Sequence, residues 1–116
     1  MSVTAAQSAM NRPDLDQMFG LFSHRYRRWL IFYMVKFDKQ TIPVTTAVNL
    51  VTHLDPTISR EAAYQILIHS HLRRLDLAGV IDFDRGGERI TFREHPLIEQ
   101  LARDAMEWDA VFGASD

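Results

Sequence analysis

The sequence predicts a mainly α-helical domain with a small β-hairpin, and three observations predict it. Apolar residues recur at helical spacing along most of the chain, as in Tyr64, Leu67, Ile68, Leu72 and Leu75. Gly79 stands where that stripe stops, and glycine readily takes the left-handed conformation that ends a helix. Beyond it the period changes. Val80, Ile81 and Phe83 begin an extended run, Ile90 and Phe92 alternate with polar neighbours, and Gly86-Gly87 lies between them as a hairpin turn.

The elements follow in order. Residues 1–13 are small, polar and aperiodic, and are expected to form a disordered tail; the domain is expected over residues 14–112. Pro13 and Asp14 mark a helix start, and Leu15, Met18, Phe19 and Phe22 give a short amphipathic helix. Ser23 is placed to cap a second helix, from about His24 to Phe37. That helix carries Tyr26, Trp29, Leu30, Phe32, Tyr33, Met34 and Phe37 around most of its circumference, so burial on more than one side is expected. Asp38-Lys39-Gln40 is a connector. Thr41-Ile42-Pro43-Val44 is β-prone, and Pro43 confines it to an edge.

Thr45 or Thr46 is expected to cap a third helix, which turns Ala47, Val48, Leu50, Val51 and Leu54 inward and breaks at Asp55-Pro56-Thr57. Ser59 caps a fourth helix, with Glu61 in its first turn, over about residues 59–78. The hairpin occupies about 80–93. Pro96 opens a last helix over about 96–112, with Leu97, Ile98, Leu101, Ala105, Met106 and Trp108 on a broad apolar face.

Composition limits the function. A chain of 116 residues supports one modest core. Without cysteine there is no disulfide, thiolate catalysis or cysteine-bound zinc. The start of the chain lacks the apolar stretch of a signal peptide. The longest apolar run, Trp29 to Val35, is far short of the ~20 residues that cross a bilayer. A cytoplasmic protein with no membrane partner is expected. The formal net charge is −2, unevenly spread. From Glu94 onward acids dominate, leaving a mildly basic body compatible with DNA on one face.

The segment from His71-Leu72-Arg73-Arg74-Leu75-Asp76-Leu77-Ala78-Gly79-Val80-Ile81 into the hairpin resembles the winged helix-turn-helix regulators of the arsenic-repressor type. These carry a similar His-Leu-x-x-Leu-x-x-Ala-Gly-Leu/Val run before the wing. A closer likeness is to small winged-helix proteins of halophilic archaea. They share an opening segment like Leu21-Phe22-Ser23-His24-Arg25-Tyr26-Arg27-Arg28-Trp29-Leu30-Ile31-Phe32-Tyr33 and a closing one like His71 to Asp84. The likeness spans roughly Leu15 to Phe92. It implies a winged helix with extra N- and C-terminal helices, in which the fourth helix reads the major groove and the hairpin lies on the DNA backbone. The chain departs from the archaeal proteins in being only slightly acidic, which fits a virus, a plasmid or a less saline source. Its recognition helix is also longer than usual.

Within that frame, Gln65, His69 and Arg73 share a polar face from which glutamine pairs with adenine and arginine with guanine. Arg60 and Tyr64, near the helix start, are placed to touch phosphate or base. Arg85 and Arg89, with Arg93, are wing arginines suited to phosphate or a narrow minor groove. The plainer alternatives are a solvated helix face and a charged hairpin surface, on which Asp82, Asp84 and Glu88 nearly cancel the arginines. Arg25, Arg27 and Arg28 either meet phosphate or simply cover the start of their helix.

Trp29, Phe32, Tyr33, Met106 and Trp108 exceed what one small core needs, and are expected to form a homodimer interface through the second and last helices. His69 and His71 stand two apart on a helix, point about 200° apart and cannot share a metal; His71 is expected at the domain edge. Ser70 lies between them without triad geometry, and Arg85-Gly86-Gly87 is a turn, not a phosphate loop. No enzyme, metal, cofactor or small-molecule effector is therefore expected. The partners expected are double-stranded DNA and a second copy of the chain, or a protein partner in place of DNA.

Overall fold

The computed structural model describes residues 15–112, with side chains described at 16 and from 18 to 106. The expected tail, the Pro13–Asp14 helix start and the side chain of Trp108 lie outside these. The order is α1 (Leu15–Leu21), α2 (Arg25–Lys36), β1 (Thr41–Pro43), α3 (Val44–Leu54), α4 (Arg60–Ile66), a π-helical turn (Leu67–His71), α5 (Leu72–Leu77), β2 (Ile81–Asp84), β3 (Arg89–Phe92) and α6 (Pro96–Phe112). The fold is mainly helical with a small antiparallel sheet, as the periodicity predicts.

The sheet has three strands in the order β1-β3-β2. β1 joins the hairpin as an edge, with Ile42 opposite Ile90 and Pro43 opposite Arg89. Pro43 has no N–H to donate, which is tolerated at an edge. In the hairpin Phe83 faces Ile90 and Asp84 faces Arg89. Among the described residues no helix is long and apolar enough to cross a membrane.

One core gathers every element. Leu30, Ile31 and Met34 of α2 meet Val44 and Val51 of α3, Leu67, Leu72 and Leu75, then Ile81, Ile90 and Ile98, all essentially excluded from solvent. α2 packs against both α3 and α6, so it is enclosed on two sides within its own chain. Phe19, Leu54 and Leu97, expected inward, are exposed instead. α1 and α3 turn those flanks to solvent because Met18 and Leu21, and Val48 and Val51, already fill the core below them.

Two helices end in the same paired motif. After α2, Asp38 takes φ 52°, its N–H reaches Val35 O at 3.3 Å, and the Lys39 N–H reaches Met34 O at 2.8 Å. After α5, Gly79 takes φ 78°, its N–H reaches Asp76 O, and the Val80 N–H reaches Leu75 O, both at 3.0 Å. These are Schellman closures, which satisfy carbonyls a helix end leaves open.

Three local expectations are corrected. Ser23 does not cap α2; its hydroxyl donates to Gly20 O at 2.6 Å, and His24 takes the cap, with Nδ1 accepting the Tyr26 N–H at 3.1 Å. Neither Thr45 nor Thr46 caps α3. The helix starts earlier, directly behind Pro43, and the Val44 N–H is satisfied by Glu88 O at 2.8 Å. The fourth helix is not one α-helix over 59–78. Ser59 does cap it, accepting the Ala62 N–H at 3.1 Å, but it changes to a π turn in which the Leu72 N–H bonds to Leu67 O.

The packing explains the π turn. Leu67 and Leu72 are both fully buried. In a regular α-helix a five-residue step would rotate Leu72 about 140° away from Leu67. The wider turn absorbs the extra residue, keeping both in the core and leaving Gln65, His69 and Arg73 on the exposed side.

Candidate nucleic-acid interface

The outward face of the α4–α5 segment carries Arg60, Gln65, His69 and Arg73, all exposed. The four-residue recurrence of Gln65, His69 and Arg73 across the π turn is what the sequence shows as a polar stripe. Arg60 opens α4 and donates through Nη1 to the Asn49 side-chain oxygen of α3. That bond ties the helix start to the preceding helix. Tyr64, one turn on, is half-buried, and its hydroxyl donates to Glu88 Oε2 at 3.3 Å.

Glu88 therefore joins three elements. Its carbonyl holds the first N–H of α3, its carboxylate meets α4, and its backbone, at φ 50°, turns the chain at the tip of the β2–β3 hairpin. The left-handed residue of this turn is Glu88, not Gly86 or Gly87. At Gly87 a Cβ would displace the Asp84 carboxylate, whose Oδ1 accepts the Gly87 N–H at 3.0 Å.

Arg85 and Arg89 flank that tip and are exposed. Arg93 at the hairpin base is bound to Asp82 at 2.9 Å. Among the described residues the only other ion pair is Arg25–Asp55 at 2.8 Å. Arg60, Arg73, Arg85 and Arg89 thus face solvent with no carboxylate partner among those residues. The structure couples Tyr64 to the hairpin tip and Arg60 to α3, while Gln65, His69 and Arg73 extend along the helix away from both.

The arginines that open α2 do other work. Arg27 is 6% exposed; its Nε donates to Leu21 O at 2.9 Å, and Nη2 donates to Gly20 O at 3.1 Å. Arg28 donates to Phe22 O at 2.8 Å. Together they close the C-terminal carbonyls of α1, where a positive charge is favoured by the helix dipole. Arg28 is thus held by its own chain, and Arg27 is buried against the end of α1 rather than on the α4–α5 face. The signal was present: Arg27, Leu30, Ile31 and Met34 share one helical stripe.

His71 is buried rather than at the domain edge. Its Nδ1 lies 2.9 Å from Arg27 Nη1 and can only accept from it. The ring is neutral, its pKa lowered to about 4 by burial first and then by the charges of His24, Arg27 and Arg74. His24 stacks on it with ring centroids 4.2 Å apart, while His69 faces solvent. Among the described residues no three ligating side chains converge.

Beside this cluster, Asp55 accepts from Tyr26 Oη and Thr57 Oγ1, each at 2.5 Å, and from the Thr57 N–H at 3.1 Å. Those bonds, Thr57 first and then Tyr26, hold its carboxyl at a pKa of about 2. The residues that break α3 in the sequence therefore also anchor α2 to the following turn.

Of the side chains expected at a dimer interface, Trp29, Phe32, Tyr33 and Met106 are half-buried against their own core. Phe32 stacks on Phe22 at 6.2 Å, and the guanidinium of Arg25 lies 5.4 Å from the Trp29 ring. No family model, curated protein or solved structure matches the chain.

Proposed function

We propose that the protein is a sequence-specific DNA-binding transcription regulator that acts as a homodimer. In this reading the framework is a winged helix-turn-helix, α4–α5 is the recognition helix and the β2–β3 hairpin is the wing. The observation that carries it is that Arg60 and Arg73 on the α4–α5 segment and Arg85 and Arg89 on the hairpin are exposed without carboxylate partners among the described residues. The element order and the β1-β3-β2 sheet support it, as does the Tyr64–Glu88 bond that keeps hairpin and helix together.

Arg85 and Arg89 bind phosphate and set register, while Gln65, His69 and Arg73 read base edges in the major groove. Arg60 adds a contact at the helix start. Trp29, Phe32, Tyr33, Met106 and Trp108 form the two-fold contact, which presents two recognition helices about one DNA turn apart. Regulation is by occlusion or recruitment at a promoter, in the cytoplasm, with no catalytic step or cofactor.

A protein-binding winged helix is the second reading. It is favoured by one observation: hairpin charge is partly neutralised, by Asp82 on Arg93 and by Glu88 between Arg85 and Arg89. Fluorescence anisotropy with a labelled duplex from upstream of the gene, random duplex as competitor and a salt series separates the two. Tighter binding to the upstream duplex, falling steeply with salt, supports the regulator. Absence of binding to either duplex at low salt supports the protein-binding module.

A further inference from the structure

We propose that the groove between the C-terminal ends of α1 and α5 binds a small organic anion, one that joins a carboxylate or phosphate to an apolar body. The proposal stands apart from the DNA-binding reading. The groove has a volume of about 440 Å³, within the range of small-molecule sites. Arg27 and Arg74 supply its charge, and Leu21, Leu77 and Ala78 its apolar walls. No carboxylate lines it among the described residues.

The charge is out of balance. A buried guanidinium ordinarily has an anionic partner, because removing it from water is otherwise costly. Arg27 has only neutral acceptors: Leu21 O, Gly20 O, His71 Nδ1 and, at 3.4 Å, Ser23 Oγ. The α1 carbonyls offset part of its charge. Arg74 then adds a second positive charge to the same groove, and burial together with Arg74 lowers the Arg27 pKa. His71 cannot help, since its neutral ring accepts through Nδ1 and its Nε2 has no partner. An anion beside Arg74 relieves the repulsion.

The apolar side is equally unsatisfied. Leu77 is 77% exposed, the most of any large apolar side chain among the described residues. It stands on the wall opposite α1, where the body of a ligand would cover it. An inorganic anion would meet the two arginines but leave Leu77 in water, so the site fits an amphipathic anion better than a bare one.

The test uses the full chain, 15N-labelled, titrated with phenyl phosphate, inorganic phosphate and benzyl alcohol and followed by NMR. Phenyl phosphate is expected to shift the amides of Gly20, Ser23, Leu77 and Ala78 and the Nε–H of Arg74 to saturation. Inorganic phosphate is expected to bind roughly tenfold more weakly, for loss of the ring's burial, and benzyl alcohol not to saturate. Arg74→Gln, at an exposed position, is expected to weaken phenyl phosphate roughly tenfold, while Lys36→Gln leaves it unchanged. Absence of saturable shifts at these residues, equal binding of all three probes, or full affinity in Arg74→Gln would overturn the proposal.

Discussion

The hydroxyl of Tyr64 in α4 donates to Glu88 Oε2 at the hairpin tip, 3.3 Å away. Through this bond and the Val44–Glu88 backbone bond, the tip is joined to the start of α3 and to Tyr64 within α4. These two bonds tie the hairpin to the helices beside it. The same bond holds a carboxylate on the hairpin that carries Arg85 and Arg89.

Glu88→Gly separates these effects. Glycine accepts φ 50° without strain and keeps the carbonyl that serves Val44. The variant should fold, with stability changed by less than about 1 kcal/mol. Its affinity for random duplex should rise a few-fold, since a surface carboxylate repelling phosphate is gone. Denaturant midpoint and anisotropy check the two parts.

Arg73→Ala tests base reading. Binding to the preferred duplex should weaken, and preference at one base pair should relax by ~1–3 kcal/mol. A panel of singly substituted duplexes measures it. Unchanged preference at every position would remove Arg73 from the reading face.

Arg27→Lys tests the clamp on α1. An ammonium cannot bridge Leu21 O, Gly20 O and His71 Nδ1 together, and charged hydrogen bonds lost in a buried setting cost about 1.5–3 kcal/mol. The variant should lose roughly that much stability by urea unfolding.

Stability should fall with acid in two stages. Histidine ordinarily titrates near 6.5, and His71 is held down to about 4 in the fold. Between these values the unfolded chain carries a proton that the folded chain refuses. Stability is therefore full above pH 6.5 and falls as pH drops toward 4, by on the order of 3 kcal/mol. His24, also lowered, acts in the same sense. Asp55, held at about 2, adds a further loss as pH falls below 3.8. His71→Gln should flatten the upper stage and leave the lower one, as urea midpoints across pH will show.

The two Schellman closures differ in one residue. Gly79→Ala should cost about 1–2 kcal/mol, the penalty of a Cβ at φ 78°. Asp38→Gly should stabilise by up to ~1 kcal/mol, for the converse reason. Thermal unfolding of both variants measures the pair.

Several signals confined to neighbouring residues were legible in the sequence, although the caps expected from Ser23 and from Thr45 or Thr46 were not. Gly79, Pro96, Ser59 and the edge role of Pro43 each depend on one residue's own backbone chemistry, and each stands as expected. The exposed stripe of Gln65, His69 and Arg73 was legible for the same reason. What depends on distant packing was not. The π turn exists because Leu67 and Leu72 must both reach one core. Arg27 turns inward because α1 ends beside it. Glu88 meets Tyr64 only once the hairpin has folded against α4.

DNA binding through this face is tested by an NMR titration of the 15N-labelled protein with the duplex from upstream of its gene. Shifts are expected at Arg60, Gln65, His69 and Arg73 and around Arg85 to Arg89, with the α2 and α6 amides unmoved. Shifts centred on α2 and α6, or none at saturating duplex in low salt, would contradict it.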